Sequence, residues 1–415
     1  MVSSRRQGKI QMLFSPIKPT KGSGYPAPKP GDENSGQVSA GIDTAADFVT
    51  MEEEKQRDNF KKEEAREHSI GLGYRVPLII ASPWTRGGWV NSEVCDITST
   101  IQFLEVFLER KTGKKIKETN ISDWRRTVTG DLTSAFRPYN GETIQLPAFV
   151  EKEKFVKEIY NARFKQPPSD YRALSPNQIK EISRTPFSPL LPGQEPGIRP
   201  SNALPYELIV DGKLTPDKKG FQIEFNAAQK VFGNKAAGAA FNVYTPGKYK
   251  NGTLFEEVKA WAFAVKPDSG IQHQWPLQNF AEGLYHLNVY GPNGFFREFK
   301  GTAHDPEVNI RLLYEEKPAT LGLSGNIIIE IEKPAGRELT IFIRDQAYKQ
   351  AEKIVSLRKN STKKKQKISL KNSFGWYDIS VKVNGHKDFE KRYAGRVETG
   401  EASKTDPLMG RVSLP

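Results

Sequence analysis

The chain has 415 residues, a formal net charge of +13 and a single cysteine, Cys95. This length exceeds what one hydrophobic core organises, so we expect two to four domains. The single cysteine excludes a disulfide framework and a zinc site built from several cysteines, and no apolar run approaches the roughly 18 residues of a membrane-spanning helix.

The first 66 residues are predicted to form a poorly ordered basic segment followed by a charged one. Residues 1–31 are basic, rich in proline and glycine, and without hydrophobic periodicity. The run MEEEKQRDNFKKEEARE at residues 51–67 has almost no apolar face, so we expect a solvated helix or loop there. The stretch after Arg5 and Arg6 lacks the apolar region of a signal peptide, which predicts a cytoplasmic location for the chain expressed as given.

Residues 67–175 have the pattern of an α/β sheet. Val76–Ala81 is a short apolar run bounded by turn residues, which is typical of a buried central strand. A helix is predicted to begin near Thr98 or Ser99, either of which can cap it, and to end at Gly113. One face of this helix consists of Ile101, Leu104, Phe107 and Leu108. Strand, loop and helix suit the last β-α unit of a doubly wound sheet, and a further helix is expected at residues 152–164.

A proline-rich linker at residues 176–203 separates this part from an all-β half. The composition of 34 glycines and 28 prolines suits a loop-rich β protein and excludes a coiled coil or a helical solenoid. Alternating apolar residues separated by turns predict strands of an antiparallel sandwich, at residues 206–210, 220–225, 240–244, 261–265 and 284–290.

An internal repeat divides the β half in two. GLYHLNVYGPNG at residues 283–294 is echoed by GWYDISVKVNG at residues 375–385. Asn-Gly in each copy predicts a tight turn, because both residues tolerate a positive φ, and the strand that follows ends at Gly301 or Gly395. The repeat predicts two tandem β modules at residues 204–312 and 317–398, followed by a tail at 399–415.

Two small polar clusters could carry chemistry, and each has an ordinary alternative. Asp32, Glu33 and Asn34 could hold a hard cation, but in a proline- and glycine-rich segment the favoured interpretation is a turn. His304 and Asp305 could form an acid–base pair, but directly after a strand the favoured interpretation is a loop.

A basic segment near the end of the chain is the candidate binding surface. It contains seven bases and no acid: Arg358, Lys359, Lys363, Lys364, Lys365, Lys367 and Lys371. These bases could contact the phosphate headgroups of a phospholipid membrane surface, or they could form a solvated loop between two strands of the second module. No aromatic residues are interleaved with the lysines, so we expect no nucleic-acid partner.

Three segments carry a resemblance to a known family. They are IGLGYRVPLIIASPWTRGGWVNSEV at residues 70–94, DITSTIQFLEVFL at residues 96–108, and NISDWRR with GDLTSAF at residues 120–136. They resemble the late catalytic-domain segment of bacterial phosphocholine-specific phospholipase C, a phosphoesterase with an alkaline-phosphatase-like α/β fold. The repeated β half resembles the C-terminal domain of that family. The resemblance implies an α/β remnant of the catalytic domain followed by two tandem all-β sandwich modules.

The same resemblance implies a function for a parent enzyme and a departure from it here. The family cleaves phosphatidylcholine or sphingomyelin to phosphocholine and diacylglycerol or ceramide, is exported, and uses a divalent metal. Its nucleophile and metal ligands lie upstream of the resembling segments, so we assign no catalytic residue, metal ligand or cofactor to this chain. Ile97 also stands where the family usually has histidine.

Two hypotheses follow for the chain itself. In the first, it is an inactive C-terminal fragment of such a phospholipase C, produced by a split, frameshifted or truncated gene, and its partner is the missing catalytic half. In the second, it is a non-catalytic module whose two sandwiches bind a lipid surface or a protein. The oligomeric state stays open.

Overall fold

The computed structural model describes residues 25–72, 78–139, 141, 143, 151–167, 169, 172–184, 196–318 and 322–410, which are mostly β-sheet with few helices. The helices are α1 (Met51–Lys55), α2 (Thr98–Thr112), α3 (Asp123–Val128), α4 (Lys152–Ala162) and α5 (Pro176–Arg184). The strands up to the end of the first repeat are β1 (Gly36–Val38), β2 (Phe48–Val49), β3 (His68–Ser69), β4 (Pro200–Ser201), β5 (Leu208–Leu214), β6 (Gly220–Ala227), β7 (Ala239–Tyr244), β8 (Lys248–Asn251), β9 (Leu254–Glu257), β10 (Ala260–Val265), β11 (Ser269–Pro276), β12 (Tyr285–Tyr290) and β13 (Phe296–Gly301). The strands that follow are β14 (Asn309–Glu316), β15 (Leu323–Glu332), β16 (Leu339–Asp345), β17 (Lys353–Leu357), β18 (Lys363–Ile368), β19 (Trp376–Val383), β20 (Glu390–Arg396) and β21 (Ser403–Lys404).

One continuous sheet runs through both sequence repeats. Its nine strands have the order β1-β10-β7-β12-β13-β20-β19-β16-β17. Strands β13 and β20 pair antiparallel, with Arg297 opposite Tyr393, and so join the first repeat to the second. The repeat predicted two modules one after the other, but it could not indicate that their sheets fuse edge to edge.

Two smaller sheets cover one face of this large sheet. The sheet β11-β6-β5 packs on the strands of the first repeat, and the sheet β14-β15-β18 packs on those of the second. In β6, Phe221, Ile223 and Phe225 are buried while the intervening polar side chains are partly exposed, which is the alternation expected of a half-buried strand. The strands predicted between residues 206 and 290 are all present, with β5 beginning at Leu208.

The glycine that ends each repeat lies opposite a tyrosine. Tyr285 pairs with Gly301, and Tyr377 pairs with Gly395. A Cβ added at Gly301 would lie 2.5 Å from the Tyr285 hydroxyl, and Gly395 has a φ of 155°. A larger residue would displace the tyrosine ring or strain the backbone, so both positions require glycine.

The residues before the β half pack on the other face of the large sheet. Trp124 of α3 is fully buried together with Tyr25, Ala27, Ala240 and Ala264. The two alanines lie on β7 and β10, between side chains that face the opposite core. Strand β1 pairs parallel with β10. Residues 25–66, expected to be poorly ordered, therefore include a strand of the large sheet and part of a buried core, while residues 1–24 lie outside the described residues.

The expected buried strand at Val76–Ala81 is wrong where the structure describes it. Residues 73–77 lie outside the described residues, and residues 78–81 form no strand. Leu78 and Ile79 are 56% and 91% exposed. A buried central strand needs a hydrogen-bonded neighbour on each side, and within the described residues none pairs with this run.

The helices were predicted more accurately than this strand. Helix α2 runs from Thr98 to Thr112, and the Gly113 that follows it has a φ of 67°, the left-handed cap expected of glycine. The expected capping by Thr98 or Ser99 is wrong, because the N-cap position is Ile97, which makes no side-chain cap hydrogen bond. Helix α4 lies within the predicted 152–164 stretch. The expected linker at 176–203 instead begins with α5, because proline is tolerated in the first turn of a helix. No helix of the described residues is long and apolar enough to cross a bilayer.

Candidate functional site

The basic segment does not form the expected loop. Residues 363–368 are the edge strand β18, which pairs antiparallel with β15. Arg358 and Lys359 lie before this strand, and Lys371 lies in a short 3₁₀ turn after it. The structure therefore brings together Lys363, Lys365 and Lys367, which alternate along one face of β18, and places Lys364 on the other.

Carboxylates on the neighbouring strands neutralise much of this positive charge. Lys363 Nζ lies 2.5 Å from Glu332 and 2.9 Å from Glu330, and Lys367 Nζ lies 2.6 Å from Glu315. The hydrogen bond from Lys363, helped by one from Arg311, lowers the pKa of Glu330 to about 2. The basic segment itself contains no acid, so the sequence could not predict this pairing. The partner carboxylates lie on β14 and β15, between 31 and 52 residues earlier in the chain.

The acidic cluster at residues 32–34 forms a turn. The carboxylate of Asp32 accepts a hydrogen bond from the backbone N–H of Asn34 at 2.9 Å. Asp32 and Glu33 line an open cavity of about 540 Å³ together with Asp43. Within the described residues, however, no group of three or more His, Cys, Asp or Glu side chains is arranged to hold a metal ion.

His304 and Asp305 form part of a loop and not an acid–base pair. His304 is exposed, while Asp305 accepts hydrogen bonds from the Tyr285 hydroxyl and from the backbone N–H of Thr302. Burial raises the pKa of Asp305, and the hydrogen bond from Tyr285 opposes that shift. Asp305 fixes the loop after β13 rather than facing a substrate site.

Arg125 connects three distant parts of the phosphoesterase-like segment. Its Nε lies 2.7 Å from Asp47, its Nη1 donates to Asp96, and its Nη2 donates to the carbonyl of Gly71 at 2.8 Å. The side chains of Asp47 and Asp96 are 2% and 1% exposed. The sequence offered no sign of this cluster, because arginine and its two carboxylates lie far apart along the chain.

A second polar cluster joins two of the resembling segments. Ser134, in GDLTSAF, donates a hydrogen bond to Glu93 and accepts one from the side chain of Asn91 at 2.8 Å. Asn202, at the start of the β half, donates to the Ser134 carbonyl at 3.0 Å. Burial raises the pKa of Glu93, against the effect of the Ser134 hydrogen bond. These contacts hold the two segments to each other and to the start of the β half.

Apolar side chains are exposed along helix α2. The apolar stripe, as we call it, consists of Ile97, directly before the helix, and of Ile101, Leu104 and Leu108 on it. Spacings of four, three and four residues place these side chains along one side. Their exposed fractions are 76%, 41%, 53% and 37%. The sequence predicted the apolar face but not its exposure.

Comparisons with known proteins agree with this arrangement of segments. Residues 32–108 match the phosphoesterase family, and residues 200–302 match the C-terminal domain of bacterial phospholipase C. The chain is similar to a non-hemolytic phospholipase C of Pseudomonas aeruginosa, with 33% identity over 84% of this chain and 45% of the relative. It is similarly related to a non-hemolytic phospholipase C of Burkholderia pseudomallei, with 34% identity over 82% of this chain and 43% of the relative.

A third relative is the hemolytic phospholipase C of Pseudomonas aeruginosa, with 34% identity over 82% of this chain and 45% of the relative. The chain thus spans less than half the length of these three curated relatives.

Proposed function

Because the chain belongs with the bacterial phospholipases C, through a phosphoesterase segment and their C-terminal domain, we propose that it is the C-terminal part of a phosphocholine-specific enzyme. The parent enzyme hydrolyses phosphatidylcholine or sphingomyelin to phosphocholine and diacylglycerol or ceramide, and it is exported. The single observation that carries the proposal is a match that covers 84% of this chain but only 45% of its relative.

The catalytic groups of that reaction belong, in this proposal, to the part of the relatives that the match leaves out. Cleavage of a phosphoester needs a nucleophile and, in this family, a metal that stabilises the charged transition state. At the start of α2, where the family usually has histidine, this chain has Ile97, which is 76% exposed. An isoleucine side chain can neither transfer a proton nor bind a metal.

The domain organisation belongs to the same proposal. Residues 67–175 belong to the end of the phosphoesterase domain, whose match already begins at residue 32. Residues 204–312 and 317–398 are two β-sandwich modules. The separate hydrophobic cores of the two repeats support this division, since each repeat buries its own set of apolar side chains.

A phosphocholine-release assay tests the proposal. The purified 415-residue chain is incubated with phosphatidylcholine or sphingomyelin and a divalent cation, with the non-hemolytic enzyme of Pseudomonas aeruginosa as positive control. We expect no release above that of a heat-denatured sample, because loss of nucleophile and metal ligands removes many kcal/mol of transition-state stabilisation. Release that depends on metal and is lost on heating would show that the catalytic groups are present in this chain.

The alternative function is binding of a lipid surface by the basic face of β18. The alternation of Lys363, Lys365 and Lys367 on one exposed face favours it, and the carboxylates beside them reduce the attraction expected. This function does not depend on catalysis and is tested separately below.

A further inference from the structure

Helix α2 packs on the protein with its polar side. Ser99 and Gln102 are buried, and the Gln102 side chain donates a hydrogen bond to Thr129 at 3.1 Å. Glu105 binds the guanidinium of Arg126 through two hydrogen bonds of 2.7 and 2.8 Å. An amphipathic helix on a globular protein ordinarily buries its apolar side. Here the polar contacts fix α2 in place and turn the apolar stripe outward.

Other large apolar side chains of the same segment are exposed as well. Phe107, next to the stripe on α2, is 51% exposed, and Trp84 is 51% exposed. Trp84 is tied to the helix, because its carbonyl accepts the backbone N–H of Arg137, and the preceding Phe136 stacks on Phe103 of α2 with ring centroids 5.0 Å apart. Several large apolar side chains exposed together on a segment held by polar contacts are typical of an interaction surface.

The family relationship indicates the occupant. The phosphoesterase match ends at Leu108, the last residue of the stripe, and more than half of each relative lies outside its match to this chain. A hydrophobic helix face inside a family domain is complementary to the rest of that domain, whose own apolar side chains need covering. The stripe has no charge of its own, which suits a folded protein surface better than an ionic partner.

We propose that the apolar stripe of α2 is the docking surface for the remaining part of the phosphoesterase domain, supplied by the polypeptide that the relatives carry outside the matched region. This inference rests on the proposed function and adds the partner and the residues that bind it. Docking covers the stripe and places α2 at the boundary between the two parts, next to the ion pair of Asp96 with Arg125 of α3.

A binding experiment with matched variants tests the surface. The full 415-residue chain is produced together with the unmatched part of the Pseudomonas aeruginosa non-hemolytic phospholipase C, and complex formation is measured by co-purification and titration calorimetry. The stripe variants are Ile101→Asp and Leu104→Asp, with the milder Leu104→Ser as a second variant. The control is Ile354→Asp, since Ile354 is 62% exposed on β17, at the edge of the large sheet opposite to the strands that α3 contacts.

We expect the unmodified chain and the Ile354→Asp variant to bind equally. Each aspartate in the stripe lowers affinity at least about tenfold, and Leu104→Ser lowers it less, since central apolar contacts dominate such interfaces. Matching thermal unfolding temperatures establish that the variants are folded. Absence of a complex with the unmodified chain, or stripe variants that bind normally, would overturn the inference.

Two other occupants give distinct results, and each would also overturn it. A stripe-dependent dimer of this chain would assign the surface to a second copy, and stripe-dependent binding to phosphatidylcholine vesicles without a protein complex would assign it to lipid. Because the readout is binding, a chain that proves active by itself contradicts the proposed function without deciding the docking experiment.

Discussion

Arg125 holds two buried carboxylates in place, and its loss would leave both without a counter-charge. Breaking a buried ion pair by removing one partner typically costs about 3–5 kcal/mol. We expect Arg125→Ala to lower the free energy of unfolding by an amount in this range, and Arg125→Lys to lower it less, because lysine keeps the charge but cannot bind two carboxylates side by side. Urea unfolding measures both variants. Arg110→Ala, on the exposed end of α2, is the control, and an Arg125→Ala loss no larger than that of the control would contradict the prediction.

Glu398 gives the β half a pH dependence. Burial raises the pKa of Glu398 from 4.5 to about 7, although Arg396, with its Nη2 at 3.5 Å, opposes the shift. Between these pH values the unfolded chain releases a proton that the folded chain keeps, so stability falls as the pH rises through the interval. Below this pH interval Glu398 is protonated in both the folded and the unfolded chain. Above the interval the free energy of unfolding has fallen by the full amount, about 3 kcal/mol.

The Glu398→Gln variant isolates this effect. Glutamine keeps an acceptor for the backbone N–H of Leu204 but does not titrate. We expect its unfolding free energy, relative to that of the unmodified chain, to rise between pH 4 and pH 8. Denaturant titrations at several pH values measure the difference, and parallel curves for the two proteins would show that Glu398 does not titrate in this interval.

At the scale of one element, the lysines of strand β18 are the residues whose binding to lipid can be tested. Each lysine near an anionic surface contributes on the order of 1 kcal/mol, but the paired carboxylates reduce this contribution here. We expect the full chain to co-sediment weakly with anionic vesicles at about 50 mM salt and less at about 300 mM, because salt screens the attraction. Zwitterionic vesicles are expected to bind little at either salt concentration.

Two variants with the same change of charge separate the strand from the overall charge of the protein. Lys363, Lys364, Lys365 and Lys367 are changed to Ser in one, and the exposed Lys111, Lys114, Lys115 and Lys117 are changed to Ser in the other. The first change should abolish vesicle binding and the second should leave most of it. Binding that ignores salt and the first change would remove β18 from any lipid-binding role.

The elements also show what the sequence could predict. The alternation of apolar and polar residues predicted most strands of the first repeat, and the helical spacing of apolar residues predicted α2. Both patterns depend only on residues that are near one another in the sequence. The exposure of the apolar stripe and the failure of residues 78–81 to form a strand depend on which neighbours are present. The same holds for β18. Its run of lysines predicted a solvated loop, because the carboxylates that pair with these lysines in the strand lie elsewhere in the chain.

At the scale of the molecule, the junction between the two repeats should make the β half unfold as one unit. Arg297 and Lys391 are buried there. Arg297 donates across the junction to the Ala394 carbonyl and the Tyr377 hydroxyl, and Lys391 donates across it to the Gly212 carbonyl. Separating the repeats would expose these contacts and the β13–β20 pairing together. We therefore expect a chain of residues 196–415 to show one calorimetric transition whose van't Hoff and calorimetric enthalpies agree.

The same shortened chain should be less stable than the full one. It lacks Trp124 and β1, which cover Ala240, Ala264 and the edge of β10. An uncovered strand edge also favours association between copies. Two separate transitions in the shortened chain would contradict a shared cooperative unit, and an unchanged unfolding temperature would contradict the role of Trp124 and β1.

The order of the nine strands has a consequence for how the repeats can diverge. Moving outward from the β13–β20 contact, β12 and β19 occupy equivalent positions, and the register centres on Glu298 opposite Arg392. The two repeats of one chain therefore pair as the two subunits of an isologous dimer would. The register makes Arg297 and Lys391 equivalent positions about an approximate two-fold axis. A symmetric dimer would have to change both positions at once. In the fused chain each can change alone, and the two cations already differ: Arg297 binds carbonyls and the Tyr377 hydroxyl, whereas Lys391 binds Asp211 and carbonyls.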